Sequence, residues 1–272
     1  MTAGSPLRVG VGGLGAIGLD VAAALDRGID GLQLSAVSAR DRQRAAERLT
    51  PFRLRVPVVG LADLAGVSDV VIECAPAAVF DEIADAAVAA GRIFMPLSVG
   101  VLLRRMDLVE RAAASGGRII VPTGALLGLD AVRAAAEGEI RAVTMITRKP
   151  PRGLKGAPHI EKLGLDMDAV QEPTKVFDGP ARTAAEGFPA NINVAVALSL
   201  AGIGPDRTMI EIWADPTVTR NTHRIRVEAE AARFEMTIEG VPTPDNPATG
   251  RLTPLSVIAT LRGLVSPLRV GT

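Results

Sequence analysis

Residues 7–18 read LRVGVGGLGAIG, and their reading decides the fold. The apolar alternation of Leu7, Val9 and Val11 predicts a short buried strand. It breaks into glycines and resumes as a helical run over 16–25. Gly13, Gly15 and Gly18 stand at G-x-G-x-x-G spacing, which assigns them a tight turn, a close backbone approach to a pyrophosphate, and close packing of helix on strand. The backbone of Leu14, Ala16 and Ile17 would then meet the phosphates at a helix N-terminus. Gly10, Gly12 and Gly15 fit the same spacing, but the later register leaves residues 9–11 inside the strand. The competing reading is a purely structural glycine turn in a chain rich in alanine and glycine. Its position between strand and helix favours a nucleotide.

Outward from this stretch, residues 32–37 (LQLSAV) read as a second strand followed by Ser38, Ala39 and Arg40. A carboxylate closing this strand would bind the ribose hydroxyls of NAD; an arginine there accommodates a 2′-phosphate. The reading therefore leans to NADP or dual use, while Asp41 keeps NAD open and Arg40 as a solvated surface residue stands against it. A helix over 44–49, a strand over 56–59 and a helical turn over 61–65 lead to residues 69–74 (DVVIEC). That β-branched run suits a parallel strand covered on both faces. Ligands lie beyond the carboxyl ends of such strands, so Cys74, Ala75 and Pro76 are placed to line the cofactor. Cys74 reads as a small buried thiol, not a nucleophile. Helix over 80–90, strand over 93–97, helix over 102–114 capped by Gly116-Gly117, and strand over 118–121 complete a doubly wound α/β domain. Ser98 and Thr123 fall at strand ends, where a hydroxyl either reaches substrate or makes an ordinary loop hydrogen bond.

The pattern then changes. A short helix over 130–137 precedes a long alternating strand over 140–147, leading into Arg148, Lys149 and two prolines. Residues 152–182 read as irregular, a lid or a dimer contact. Residues 189–200 (PANINVAVALSL) read as an apolar helix with Pro189 in its first turn. Strand-like runs at 208–213, 224–230 and 234–239 predict a mixed, partly antiparallel sheet, and a last helix spans 253–264. Of the two histidines, His159 sits in the glycine- and proline-rich stretch and His223 in a polar loop opening a strand. Each is either a proton carrier or a surface residue. Asn191 and Asn193 are local caps or ligand contacts, and Lys149 binds a carboxylate or is solvated. The formal net charge of zero offers no case for nucleic acid or an anionic membrane. One cysteine excludes an intrachain disulfide, and no His–carboxylate pair has metal-ligand spacing. With no signal-like leader and no membrane-length apolar run, a cytoplasmic protein is expected.

Taken in order, GLGAIG (13–18), ECAP (73–76), SVG (98–100), PTGALLGLDA (122–131), TRKPP (147–151), FPANINVA (188–195), Asp215-Pro216, NTH (221–223) and Asn246-Pro247 resemble the L-aspartate dehydrogenase family over nearly the whole chain. The resemblance implies a Rossmann domain, 1–122, completed by 246–272, and a catalytic and dimerisation domain, 123–245. It implies a homodimer, NAD or NADP contacts by Ala125 and Asn191 besides the glycine turn, Arg40 and Ala75, and His223 as the active-site residue. Thr123, Lys149 and Asn193 are the candidates for binding the substrate. The implied reaction oxidises L-aspartate to iminoaspartate, which hydrolyses to oxaloacetate and ammonia or feeds NAD biosynthesis. Two departures stand out: Ala39-Arg40 replaces an acidic residue common in the family, and Thr123 replaces a frequent serine, keeping the hydroxyl. Dihydrodipicolinate reductase-like or homoserine dehydrogenase-like chemistry, another amino or imino acid, and a non-catalytic nicotinamide sensor are the alternatives.

Overall fold

Strand and helix alternate from the start of the chain. β1 (Leu7–Gly12) is followed by α1 (Ala16–Asp26), β2 (Leu32–Ser38), α2 (Arg42–Leu49), α3 (Leu64–Val67), β3 (Val70–Glu73), α4 (Phe80–Ala89), β4 (Ile93–Pro96), α5 (Val99–Leu102), α6 (Asp107–Ser115) and β5 (Arg118–Ile119). The computed structural model describes residues 5–189, 192–243 and 250–271. It divides into two units, Met1–Gly124 with Thr253–Arg269, and Ala125–Leu252 with Val270–Thr272. In the first unit the strands form one parallel sheet in the order β2-β1-β3-β4-β5. Every residue of β3 is buried, as a central parallel strand with both faces covered requires. Val9, Val11, Val21, Leu25, Ile72 and Met95 form its core with Val257 and Leu261 of the C-terminal helix.

Two local expectations change. Residues 56–59 form no strand; Val58 makes a single parallel bridge to Val37 at the β2 edge. The helix expected over 102–114 is two, because tight i→i+3 bonds close at Arg104 and Arg105 before α6 begins. Arg105 there is drawn to Asp81, Asp85 and Asp107. Its end is as expected, at Gly116 with φ +76°.

The second unit contains α7 (Leu129–Ala136), β6 (Ile140–Lys149), α8 (Pro158–Leu163), β7 (Thr174–Pro180), α9 (Ala181–Gly187), α10 (Asn193–Ala201), β8 (Thr208–Ala214), β9 (Thr222–Ala229) and β10 (Arg233–Glu239). α11 (Leu252–Val265) closes the chain. The sheet order is β10-β9-β6-β8-β7, with only β6 and β8 parallel. The stretch 152–182 is therefore not irregular. Its Pro158 opens α8, Gly164 ends that helix at φ +64°, and β7 is an edge strand whose Asp-Gly-Pro ending hides it from a pattern search. α10 starts at Asn193, so Pro189 lies before the helix and not in its first turn.

Candidate active site

The glycine turn separates the two possible registers by space. Gly10 and Gly12 lie in β1, where an added Cβ would strike Ser68 Oγ at 2.4 Å or Ile83 at 3.0 Å. Gly13 has φ +106°, and a Cβ there would stand 2.6 Å from the Cys74 carbonyl oxygen. On Gly18 it would stand 1.8 Å from the Gly13 carbonyl, so α1 packs on the turn with no room for a side chain. Gly15 differs: it is the N-cap of α1, makes no side-chain cap bond, and meets nothing within 4 Å of an added Cβ. A bare, open N-cap before a helix is the cradle that a pyrophosphate fits. Leu14 is buried, its carbonyl accepting from the Arg48 guanidinium, while Ala16 and Ile17 open the helix.

At the end of β2, Arg40 is exposed and Asp41 caps α2, its carboxylate accepting from Arg44 N at 2.9 Å. At the end of β3, Glu73 carries a fully buried carboxylate. It accepts from Ala75 N (3.1 Å), Leu97 N (3.1 Å), Ser98 N (2.8 Å) and Ser98 Oγ (3.0 Å). The Ser98 hydroxyl is thus donated inside the protein. Desolvation and the Glu73 charge push the Cys74 thiol well above its ordinary pKa, which keeps it unreactive.

In the second unit, Thr147, Lys149 and His223 come together. Alternation along β6 sends Val143, Met145, Thr147 and Lys149 to one buried face. Thr147 pairs in register with His223, the second residue of β9, and its Oγ1 lies 3.0 Å from His223 Nδ1. His223 is 6% exposed, so the loop and surface readings both fail: the antiparallel pairing with β6 draws it inward. Lys149, also 6% exposed, ends β6, where its carbonyl accepts from Asp215 N at 2.8 Å. Burial alone lowers its pKa to about 8. Burial first, and the Lys149 charge second, lower His223 to about 3, leaving a neutral imidazole. On the other face of β6, Arg148 stacks over Trp213 at 4.7 Å and bonds Asp215 Oδ2 at 2.8 Å. Desolvation works against the Asp215 carboxylate, but bonds from Thr217 and Arg148 outweigh it and hold its pKa low.

The remaining candidates are more scattered. Ala75, Thr123 and Ala125 are half-buried, and Asn193 is the exposed first residue of α10. Asn191 lies outside the described residues. His159 is no proton carrier in a loop: it sits in α8 with its ring 5.3 Å from both Phe177 and Phe188. Thr147, Glu73 and Asp215 were not singled out as site residues from sequence. The first two carried a signal, a polar side chain at a position that strand alternation or an apolar run assigns to the interior.

Residues 130–264 match the family model described as aspartate dehydrogenase, C-terminal, and residues 13–122 match homoserine dehydrogenase, NAD binding domain. An L-aspartate dehydrogenase of Bradyrhizobium diazoefficiens is 56% identical, covering 100% of this chain and 96% of its own. L-aspartate dehydrogenase 3 of Bordetella bronchiseptica is 53% identical, with both chains covered in full (100%). The crystal structure of aspartate dehydrogenase from Thermotoga maritima superposes with a TM-score of 0.72 at 24% identity, covering 97% of this chain and 99% of that one; it supports the fold. With relatives this similar over their whole length, the chain belongs to the L-aspartate dehydrogenase family.

Proposed function

We propose that this protein is an NAD(P)-dependent L-aspartate dehydrogenase, with His223 as its catalytic residue and Lys149 binding a substrate carboxylate. The observation that carries the reading is the buried Thr147–Lys149–His223 cluster in a chain of this family. The nicotinamide, when bound, supplies the hydride acceptor. Gly13, Leu14, Gly15, Ala16 and Ile17 would hold the pyrophosphate, with Ala75, Ala125 and Asn191 as further cofactor contacts and Thr123 and Asn193 on the substrate.

A hydride leaves Cα readily only when the amine nitrogen holds a free electron pair, so the substrate ammonium must first lose a proton. By itself His223 is a poor acceptor, for the two causes given above. A carboxylate seated on Lys149 offsets the lysine charge and adds an anion beside the imidazole. Both changes raise the affinity of His223 for a proton when substrate is present. Thr147 fixes the ring by holding Nδ1, leaving Nε2 to face the reacting amine or the water that attacks the imine.

Arg40 and the commitment of Asp41 to capping α2 support a preference for NADP. A charge-assisted contact of about 1.5–3 kcal/mol corresponds to roughly ten- to a hundredfold in kcat/KM. Arg40→Ala should lose about that factor with NADPH and little with NADH; an equal loss with both would refute this role. The homodimer would form on the face of the second sheet carrying Ile146, Met209 and Trp213, of which Met209 is 38% exposed. A cytoplasmic site and supply of iminoaspartate to NAD biosynthesis complete the reading; among the described residues no helix is long and apolar enough to cross a membrane.

The test follows NADPH and NADH absorbance with oxaloacetate and ammonium, wild type beside His223→Ala, with ammonium omitted as control. Ammonium-dependent oxidation that falls by at least about a hundredfold in the variant is expected for loss of a general acid–base. Turnover retained in the variant with nucleotide binding intact would remove His223 from the chemistry.

A further inference from the structure

The Glu73 carboxylate is a buried ionisable group that this mechanism leaves unused. It ends the central strand β3, paired in register with Gly12 of β1 on one side and Pro96 of β4 on the other. Strand order reverses between β1 and β3, and at such a switch point the crevice beyond the carboxyl ends takes the ligand. The next residue, Cys74, donates its N–H to the Gly12 carbonyl at 2.8 Å, and its own carbonyl is the atom that bars a side chain at Gly13. Both Glu73 oxygens are filled by donors, three backbone N–H groups and the Ser98 hydroxyl. A protonated carboxyl or a glutamine NH2 could donate only to the Ser98 hydroxyl, since the other three partners are N–H groups that cannot accept. The three fixed N–H donors favour the anion, against the burial that raises the Glu73 pKa, and all four donors come from segments leaving β3 and β4.

We propose that Glu73 is a positioning residue of the dinucleotide site, a buried anion that pins the exits of β3 and β4 and favours the oxidised, cationic nicotinamide over the reduced, neutral one. The inference rests on the nucleotide reading of the glycine turn, not on the identity of the amino-acid substrate. A structural anchor alone would affect both forms of the cofactor equally. A fixed charge in a poorly solvated site acts on their difference.

The experiment measures the dissociation constants of oxidised and reduced NADP by titration calorimetry, without amino acid, for wild type, Glu73→Gln and Glu73→Asp. Glu73→Gln removes the charge and should lower the preference for the oxidised form by about threefold or more. Glu73→Asp keeps the charge but shortens the reach, so both affinities should weaken with their ratio within about twofold of wild type. Equal weakening of both forms in Glu73→Gln would overturn the proposal. If Glu73→Gln gives no folded protein, Glu73→Ser, neutral and short enough to leave room for water among the donors, takes its place in the same titration: a lowered preference for the oxidised form supports the proposal and equal weakening of both forms overturns it. Wild type that binds neither form would instead overturn the nucleotide reading beneath it.

Discussion

A lysine with an ordinary pKa of 10.5 that is lowered to about 8 by burial binds its proton more weakly folded than unfolded. Between those values the unfolded chain carries more protons, so wild-type stability rises with pH through that window. Below pH 8 the full penalty applies, on the order of 3 kcal/mol for a shift of this size. Lys149→Met should therefore gain stability relative to wild type at pH 7, and the gain should shrink as pH rises from 8 to 10.5; urea melts across that range measure it. A gain independent of pH would show that the methionine merely packs better. The same variant should bind aspartate poorly, a trade of stability for function at a single residue. His223 adds a second, opposite-looking limb with the same sign. Its folded pKa of about 3 lies below the ordinary 6.5, so its contribution is present above pH 6.5 and is lost as pH falls toward 3.

At the scale of elements, the turn between β1 and α1 and the packing of α11 are the places where one atom matters. Gly18→Ala would put a methyl 1.8 Å from the Gly13 carbonyl, forcing α1 away from the turn. Overpacking of this kind costs about 1–3 kcal/mol, and loss of nucleotide affinity should exceed the loss of stability because the displaced helix end is the binding surface. Calorimetric titration beside a thermal melt separates the two. Leu261 of α11 is fully buried in the core of the first unit, and Leu261→Ala should cost about 2–5 kcal/mol by urea denaturation. These elements were legible beforehand because their patterns are local: a strand, three spaced glycines and an apolar helix. β7 was not, since its pairing with β8 comes from 29 or more residues away and Asp178-Gly179-Pro180 reads as a turn.

For the molecule as a whole, the second sheet leaves Met209 exposed and Ile146 and Trp213 half-buried on one face. Sedimentation should find a dimer of about twice the 28.2 kDa chain mass, and Met209→Arg should shift it toward monomer without changing nucleotide affinity. A wild-type monomer would remove that interface. The sequence by itself determined the doubly wound first unit and the family, because each rests on short-range spacing or on motifs met in order. Only the tertiary structure decided that His223 is buried and neutral, that Lys149 shares its face, and that the Glu73 carboxyl is buried and anchored by four hydrogen bonds. Burial and pKa depend on which strands lie side by side, and β6 meets β9 across 76 residues of chain between Thr147 and His223. No local pattern carries that distance.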